Sequence, residues 1–304
     1  MARSQKITPC LWFDDQAEEA ARFYTSLFEN ASIGLVTRYG REGFEIHGRP
    51  EGTAMTVEFE LAGYGFVGLN GGPHFSFTPA ISFFVVRETE AEVDALWGAL
   101  SDGGAVLMEL GRYDWSEKYG WLMDRYGLSW QIALGSIAEA GQPITPALLF
   151  VGDQCGRAEE AMNHYTSLFE DSRINGIRHS APGEAKGDVE LVQHARFTLD
   201  GGAFTALDSA MGHNFSFNEA VSLSITCGSQ EEVDHFWGAL SDGGEEGACG
   251  WLKDRWGMSW QVVPTILRNM LVDPDAGRVA RVTRDLLQMK KLDIAVLKRA
   301  YKGE

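Results

Sequence analysis

The sequence predicts an α+β chain of paired βαβββ modules, with the pair duplicated and a helical tail after it. Three observations carry this prediction. Gly120 to Ala133 reads GWLMDRYGLSWQIA and returns as GWLKDRWGMSWQVV, Gly250 to Val263. Tyr24-Thr-Ser-Leu-Phe28 returns as Tyr165-Thr-Ser-Leu-Phe169, and Trp97 to Gly104 returns as Trp237 to Gly244. Between these repeats, stretches of period two and stretches of helical spacing follow one another in the same order. A repeat of about 140 residues is a duplicated domain and not a solenoid, whose units run to about 20–50 residues.

The elements follow in order. Ile7 to Phe13 is apolar and β-prone. Gln16 to Phe28 sets Ala17, Ala20, Ala21, Tyr24, Leu27 and Phe28 at helical spacing, with Glu18, Glu19 and Arg22 on the other face. Ile33 to Tyr39, Ala54 to Leu61 and Phe66 to Leu69 read as three strands. The pattern restarts with a strand at Ala80 to Val86 and a helix at Glu90 to Leu100, ended by Gly103-Gly104. The repeated Gly120 and Gly250 stretches read as hairpins around an Asp-Arg-aromatic-Gly turn. On the second strand of the first hairpin, alternation turns Trp130 and Ile132 to the core and Gln131 to the opposite face. Gln261 is its counterpart. Leu35 to Gly52 and Ser180 to Gly187 read as loops.

The expected domains are residues 1–141 and 142–264, joined at Gly141-Gln-Pro143, with a helical tail over 265–304. In that tail Asp273-Pro-Asp275 stops one helix and caps the next. One hairpin differs between the copies. Its long form, Ala105 to Tyr119, holds Tyr113-Asp-Trp115, and its short form is Glu245 to Cys249.

Formal net charge is −17, and no long Lys/Arg cluster stands out, although the tail is more basic than the rest. Nucleic acid and anionic membranes both need a basic footprint, so neither is expected as a partner. Cys10, Cys155, Cys227 and Cys249 form no C-x-x-C motif, which reads as reduced thiols in a cytoplasmic protein. Met1 to Lys6 is polar, with no apolar run behind it and none of membrane-spanning length elsewhere.

Leu11-Trp-Phe13 leading into Ala17-Glu-Glu-Ala-Ala-Arg-Phe-Tyr24, together with Asp124-Arg-Tyr-Gly-Leu-Ser-Trp-Gln131, resembles the PhnB-like branch of the vicinal-oxygen-chelate superfamily. That superfamily holds glyoxalases, bleomycin-resistance proteins and extradiol dioxygenases. Members of the branch are often described as 3-demethylubiquinone-9 3-methyltransferases. The resemblance implies paired modules curled around an open cavity that holds a divalent metal in the enzymes. The implied ligand positions, two His and one acidic residue, fall on Thr8, Ala80 and Gln131, and in the second half on Thr145, Ala220 and Gln261. A lone amide does not hold Zn²⁺, Ni²⁺ or Fe²⁺. The expectation is therefore no metal and no cofactor, with Gln131 near Thr8 and Gln261 near Thr145.

Further cavity candidates follow from alternation. Cys10 and Trp12 share the face of Thr8, and Ala147 and Leu149 share that of Thr145. His194 shares a face with Arg196, and Asn70 and Asp208 end equivalent strands. His74 and His213 flank Phe75 and Phe215 in equivalent loops. No Gly-rich nucleotide loop follows Phe13 or Phe150, as a methyltransferase is expected to show. Two functional classes stay open. One is a metal-independent binder of an unknown small molecule. The other is a lyase, isomerase or methyl-transferring enzyme using Gln131 or Gln261 with His194 or Asp208. The duplication is expected to give a monomer with pseudo-dimeric halves, or a homodimer.

Overall fold

A computed structural model describes residues 5–180 and 190–304. The loop expected over 181–187 lies outside the described residues, as does the start of the polar N-terminal stretch. The βαβββ order appears four times. The first module is β1 (Ile7–Phe13), α1 (Ala17–Thr25), β2 (Ser32–Arg38), a single turn α2 (Phe44–His47), β3 (Ala54–Leu61) and β4 (Tyr64–Asn70). The second is β5 (Ile81–Arg87), α3 (Glu90–Ser101), β6 (Ala105–Tyr113), β7 (Ser116–Met123) and β8 (Ser129–Leu134), followed by the turn α4 (Ile137–Ala140). The third is β9 (Ile144–Val151), α5 (Ala158–Leu168), β10 (Arg173–His179), β11 (Val192–Leu199) and β12 (Gly202–Ser209). The fourth is β13 (Val221–Cys227), α6 (Gln230–Ser241), β14 (Glu245–Glu246), β15 (Trp251–Lys253) and β16 (Ser259–Pro264). The tail is α7 (Thr265–Met270), α8 (Ala276–Leu286) and α9 (Ile294–Lys302).

The modules do not pair in chain order. One compact unit takes residues 1–75 and 218–304, and the other takes 76–217. The sheet of the first unit runs β14-β15-β16-β13-β1-β4-β3-β2. That of the second runs β10-β11-β12-β9-β5-β8-β7-β6. Each sheet is therefore joined at its centre by the first strands of two modules, β1 with β13 and β5 with β9, both antiparallel. The sequence repeat and the division in space fall at different places, because the two modules of each repeat enter different units.

Helices cover one face of each sheet. In the first unit Leu11, Phe13, Phe59, Phe66, Leu223, Ile225 and Trp260 are buried, as are Ala20, Ala21 and Tyr24 of α1. Tyr24 stacks on Phe59 with ring centroids 6.1 Å apart. The repeated hairpin turn has one cause in both copies. The Asp124 Oδ1 accepts from the backbone N–H of Tyr126 and Leu128, at 2.8 and 3.1 Å, and its Oδ2 accepts from the Trp130 indole at 2.8 Å. Asp254 does the same with Trp256, Met258 and Trp260 at 2.9, 3.0 and 2.8 Å. Gly127 and Gly257 supply the positive φ that the turn needs, +85° and +84°. Arg125 and Arg255 each pair with an aspartate closing the preceding helix, Asp102 and Asp242. At Gly120 a Cβ would lie 2.3 Å from the Trp97 ring, so this repeated glycine allows the helix to approach the sheet.

The tail belongs to the first unit. Leu267, Met270, Val282, Leu292, Leu297 and Ala300 form its own small core. Asp275 caps α8 as the sequence reads, and Asp293 caps α9 in the same way. The backbone N–H of Cys249 and Gly250 donates to the carbonyls of Met289 and Lys290 at 2.7 and 2.8 Å.

Asp124→Ala and Asp254→Ala each leave three buried donors without an acceptor. Each is expected to lower stability by about 3 kcal/mol or more. Removing the exposed Arg125–Asp102 pair by Arg125→Ala is expected to cost under about 1 kcal/mol. Urea unfolding of the three variants checks the contrast.

Candidate functional site

The face opposite the helices is where alternation leaves polar side chains. In the first unit the row Thr8, Ser224, Gln261 crosses three neighbouring strands in register, and Cys10 lies opposite Ser222. The Gln261 Nε2 donates to Ser222 Oγ at 2.9 Å. Burial pushes the Cys10 thiol up to about 11, against hydrogen bonds with Gln261 and Ser222 that pull it down. That thiol is protonated at neutral pH and is no nucleophile. Trp12 packs edge-on against Phe75 and Trp251, at 4.9 and 5.9 Å between ring centroids. Its indole Nε1 donates to the Gly72 carbonyl at 2.7 Å. A Cβ at Gly71 would meet that indole at 2.2 Å, so the residue must be glycine for Trp12 to lie there. The Ser259 Oγ is buried without a hydrogen-bond partner among the described residues.

The second unit repeats the plan with different side chains. Thr145, Phe84 and Gln131 share a row. The Gln131 Nε2 donates to Ser82 Oγ at 2.8 Å, and Tyr119 Oη donates to Gln131 Oε1 at 2.7 Å. Burial and the neighbouring Tyr113 raise the Tyr119 phenol above its usual range. Leu149 and Ala147 are buried and apolar. The long β6–β7 hairpin adds aromatic surface: Tyr113 stacks on Trp115 at 4.9 Å and meets Tyr119 edge-on at 5.7 Å. His194 stands opposite Arg178 on β10, two residues from Arg196 on the same face. Burial and the two guanidinium groups hold its imidazole below the ordinary range.

Asn70 and Asp208 are taken up by the fold. The Asn70 Oδ1 accepts from the first N–H of α1, Ala17, at 2.8 Å, and its Nδ2 donates to the Ala54 carbonyl at 3.1 Å. The Asp208 Oδ1 accepts from Gly156 and Ala158, and its Oδ2 accepts from Val192 at 2.9 Å. These residues stitch a helix start to two strands. Burial raises the Asp208 carboxyl, with the backbone donors opposing it.

Two expectations are corrected. Thr8 lies with Gln261 and Thr145 with Gln131, the reverse of the expected combinations, because β1 pairs with β13 and β5 with β9. The side chains facing the two amides are Ser82 and Ser222. Ala80 and Ala220 sit two residues earlier, outside their strands. Tyr119, Arg178, Ser82 and Ser222 escaped the sequence reading. The serines were within reach of it, since Ile81-Ser-Phe83 and Val221-Ser-Leu223 are equivalent and alternate.

Among the described residues no group of three His, Cys, Asp or Glu side chains lies together. What surrounds the two amides is hydroxyl and ring, with a thiol at Gln261 alone. These donors do not fit the divalent metal that the fold implies.

A model of the 3-demethylubiquinone-9 3-methyltransferase family matches residues 5–133 and again 142–263. The chain belongs to that family. A search of curated proteins finds no match. Among solved structures, the PhnB protein of Bacillus cereus is 44% identical over 43% of this chain and all of its own, with a TM-score of 0.40. Glyoxalase I of Zea mays is 10% identical over 87% of this chain and 94% of its own, with a TM-score of 0.55. The maize likeness shows the fold alone, the one that glyoxalase I has. The family matches coincide with the two sequence repeats. No helix among the described residues is long and apolar enough to cross a membrane.

The electrostatics around His194 give a titration test. With its folded value depressed, His194 contributes stability that is present above the ordinary imidazole value of about 6.5 and is lost as pH falls through the folded value. Its proton NMR midpoint is expected below 6.5 and should move up in Arg178→Gln. An unshifted midpoint in that variant would show that Arg178 does not act on His194.

Proposed function

We propose that this chain is a metal-independent small-molecule-binding protein on a duplicated chelate fold. The observation that carries the reading is the fate of Gln131 and Gln261. Each stands where the resemblance implies an acidic metal ligand, and each amide is bonded to neighbouring side chains, Ser82 and Tyr119 or Ser222. A divalent ion needs several imidazole, thiolate or carboxylate donors, which these residues do not offer. Aromatic walls with a few placed polar groups suit an organic ligand.

The enzymatic alternative draws on the family description, a methyltransferase. Asp208 is a poor general base, since its carboxylate already accepts from backbone N–H groups. The turns after β1 and β9 read Asp14-Asp-Gln16 and Gly152-Asp-Gln154, without the glycine-rich run of a nucleotide loop. A cytoplasmic address is supported by four free cysteines, three of them buried. The quaternary reading, a monomer or a homodimer, follows from the duplication.

Elemental analysis of protein purified without chelators tests the central point, with less than about a tenth of an equivalent of Zn, Fe, Ni or Mn expected. Near-stoichiometric metal would overturn the reading. S-adenosylmethionine titrated in a calorimeter is expected to give no binding heat, and saturable binding would favour the methyltransferase. Light scattering is expected to give one or two chains, and a tetramer would count against the quaternary reading.

A further inference from the structure

The two units repeat one row of side chains on the face opposite the helices, and the copies differ in whether that row is closed. In the second unit Thr145, Phe84, Gln131 and Trp121 stand level on β9, β5, β8 and β7. Its polar groups serve one another. The Trp121 indole donates to Ser129 Oγ at 2.8 Å, and Tyr119 Oη donates to Gln131 Oε1 at 2.7 Å. The Phe84 ring stands between Thr145 and the amide and stacks on Tyr119 at 6.5 Å.

In the first unit the level residues are Thr8, Ser224, Gln261 and Trp251. Ser224 puts a hydroxyl where Phe84 has its ring. Cys249 replaces Tyr119, and its thiol turns to the Leu286 carbonyl of α8 at 3.6 Å, so no phenol reaches the amide. Gln261 gives its Nε2 to Ser222, and among the described residues nothing donates to its Oε1. The Ser224 hydroxyl and the Trp251 indole N–H likewise have no hydrogen-bond partner among the described residues. The Trp251 ring meets Trp12 edge-on at 5.9 Å and makes no bond to Ser259, the counterpart of Ser129. Ser259 is two residues from Gln261 on the same face, level with Ser222, and only 1% exposed. Its unpaired hydroxyl is costly, and the second unit shows the bond it lacks.

These groups lie within reach of one small molecule. Gln261 has Ser224 on one neighbouring strand and Trp251 on the other, about 4.8 Å away in each direction. All three are half-buried, as are Thr8 and Trp12, so the row is open to solvent. The charges at its borders are already matched. Lys253 pairs with Glu219 and Arg268 of α7 pairs with Glu58, both at 2.6 Å.

We infer that the helix-free face of the first unit binds a neutral molecule of monosaccharide size that carries several hydroxyl groups. Gln261 Oε1 accepts from one hydroxyl, as Gln131 does from its own tyrosine, and Trp251 Nε1 donates to another. Ser224 serves in either sense, and Ser259 accepts in place of the missing indole bond. Hydroxyl groups both donate and accept, which a row made of an acceptor, a donor and two hydroxyls requires. The Trp12 and Trp251 rings pack on the C–H surface of the ligand. The inference rests on the proposed reading of this chain as a small-molecule binder and adds the ligand's class and the unit that holds it. The second unit, its row filled by Phe84 and Tyr119, takes none, so the chain holds one site.

The test uses the full chain. D-glucose, D-galactose, D-mannose, D-xylose and myo-inositol are titrated by calorimetry, with p-cresol, the free side chain of tyrosine, as the comparison. At least one of the five is expected to bind at millimolar concentration, with one equivalent per chain. Its binding should weaken about tenfold or more in Gln261→Leu and in Ser224→Phe, which gives the first unit the ring of the second. Trp251→Ala should weaken it several-fold. Arg125→Ala, at an exposed pair of the second unit, is expected to leave it unchanged. Thermal unfolding checks the fold of each variant, and Ser224→Val replaces Ser224→Phe if the larger ring is not accommodated. The inference is overturned if none of the five binds, if Gln261→Leu binds as well as the parent, or if two equivalents bind. Metal content is measured on the same preparation. A metal-loaded protein whose sugar binding depends on Gln261 would sink the metal-independent reading and leave this one standing. A metal-free protein that binds p-cresol and none of the five would do the reverse.

Discussion

The carboxylates of Asp124 and Asp254 fix more of this molecule than any other group. Each is buried, and each gathers two backbone N–H groups and one indole N–H around itself. The indole bond sets which face of the last strand turns inward, because side chains alternate and a slip of one residue would exchange the faces. With Trp130 and Trp260 held in the core, Gln131 and Gln261 have no choice but the opposite face. The chemistry of that face therefore depends on a turn that touches none of it. The Arg125 and Arg255 pairs carry the same constraint to the ends of α3 and α6.

Duplication kept the frame and changed what hangs on it. The amide is retained twice, yet its company differs. Gln261 sits with Ser222 and a buried thiol, beside an indole that folds onto its own loop. Gln131 sits between Ser82 and a tyrosine drawn in by a longer hairpin. Asn70 and Asp208 show how little such a change disturbs the scaffold. One donates to a carbonyl of the adjacent strand and the other accepts from an N–H there, and both secure the helix start.

Local structure was legible because each signal has a local cause. The turn glycines, the capping Asp275 of the tail and the alternation around Trp130 each act within a few residues. The order βαβββ follows from them four times over. What the sequence could not choose was the partner of β1. Ile81-Ser-Phe-Phe-Val85 and Val221-Ser-Leu-Ser-Ile225 offer nearly the same pattern, and either strand satisfies the alternation of Ile7 to Phe13. Repetition that makes a module easy to recognise makes its partner ambiguous. The same ambiguity separated Thr8 from Gln131 and joined it to Gln261. Ala80 opens the apolar run but lies one residue before the strand, and Ser82 inside the strand is the one that meets the amide. Asn70 and Asp208 look like site residues in sequence because a polar group at a strand end has several uses. Only the neighbouring backbone tells which one applies.

The pairing of β1 with β13 has a temporal side. The second unit is one continuous stretch, 76–217, and all of its strands have been made before β13 exists. The first unit is interrupted by it. Its opening four strands must wait, with the edge of β1 bare, through the synthesis of every residue between Phe75 and Asn218. Closing so long a loop costs little at equilibrium, since each doubling of length adds only about 0.6 kcal/mol. It costs time, because contacts distant in sequence form slowly. An unpaired strand held open for that interval is a template for any other extended chain. The acidic balance of the sequence helps keep such half-made molecules apart while the last module arrives.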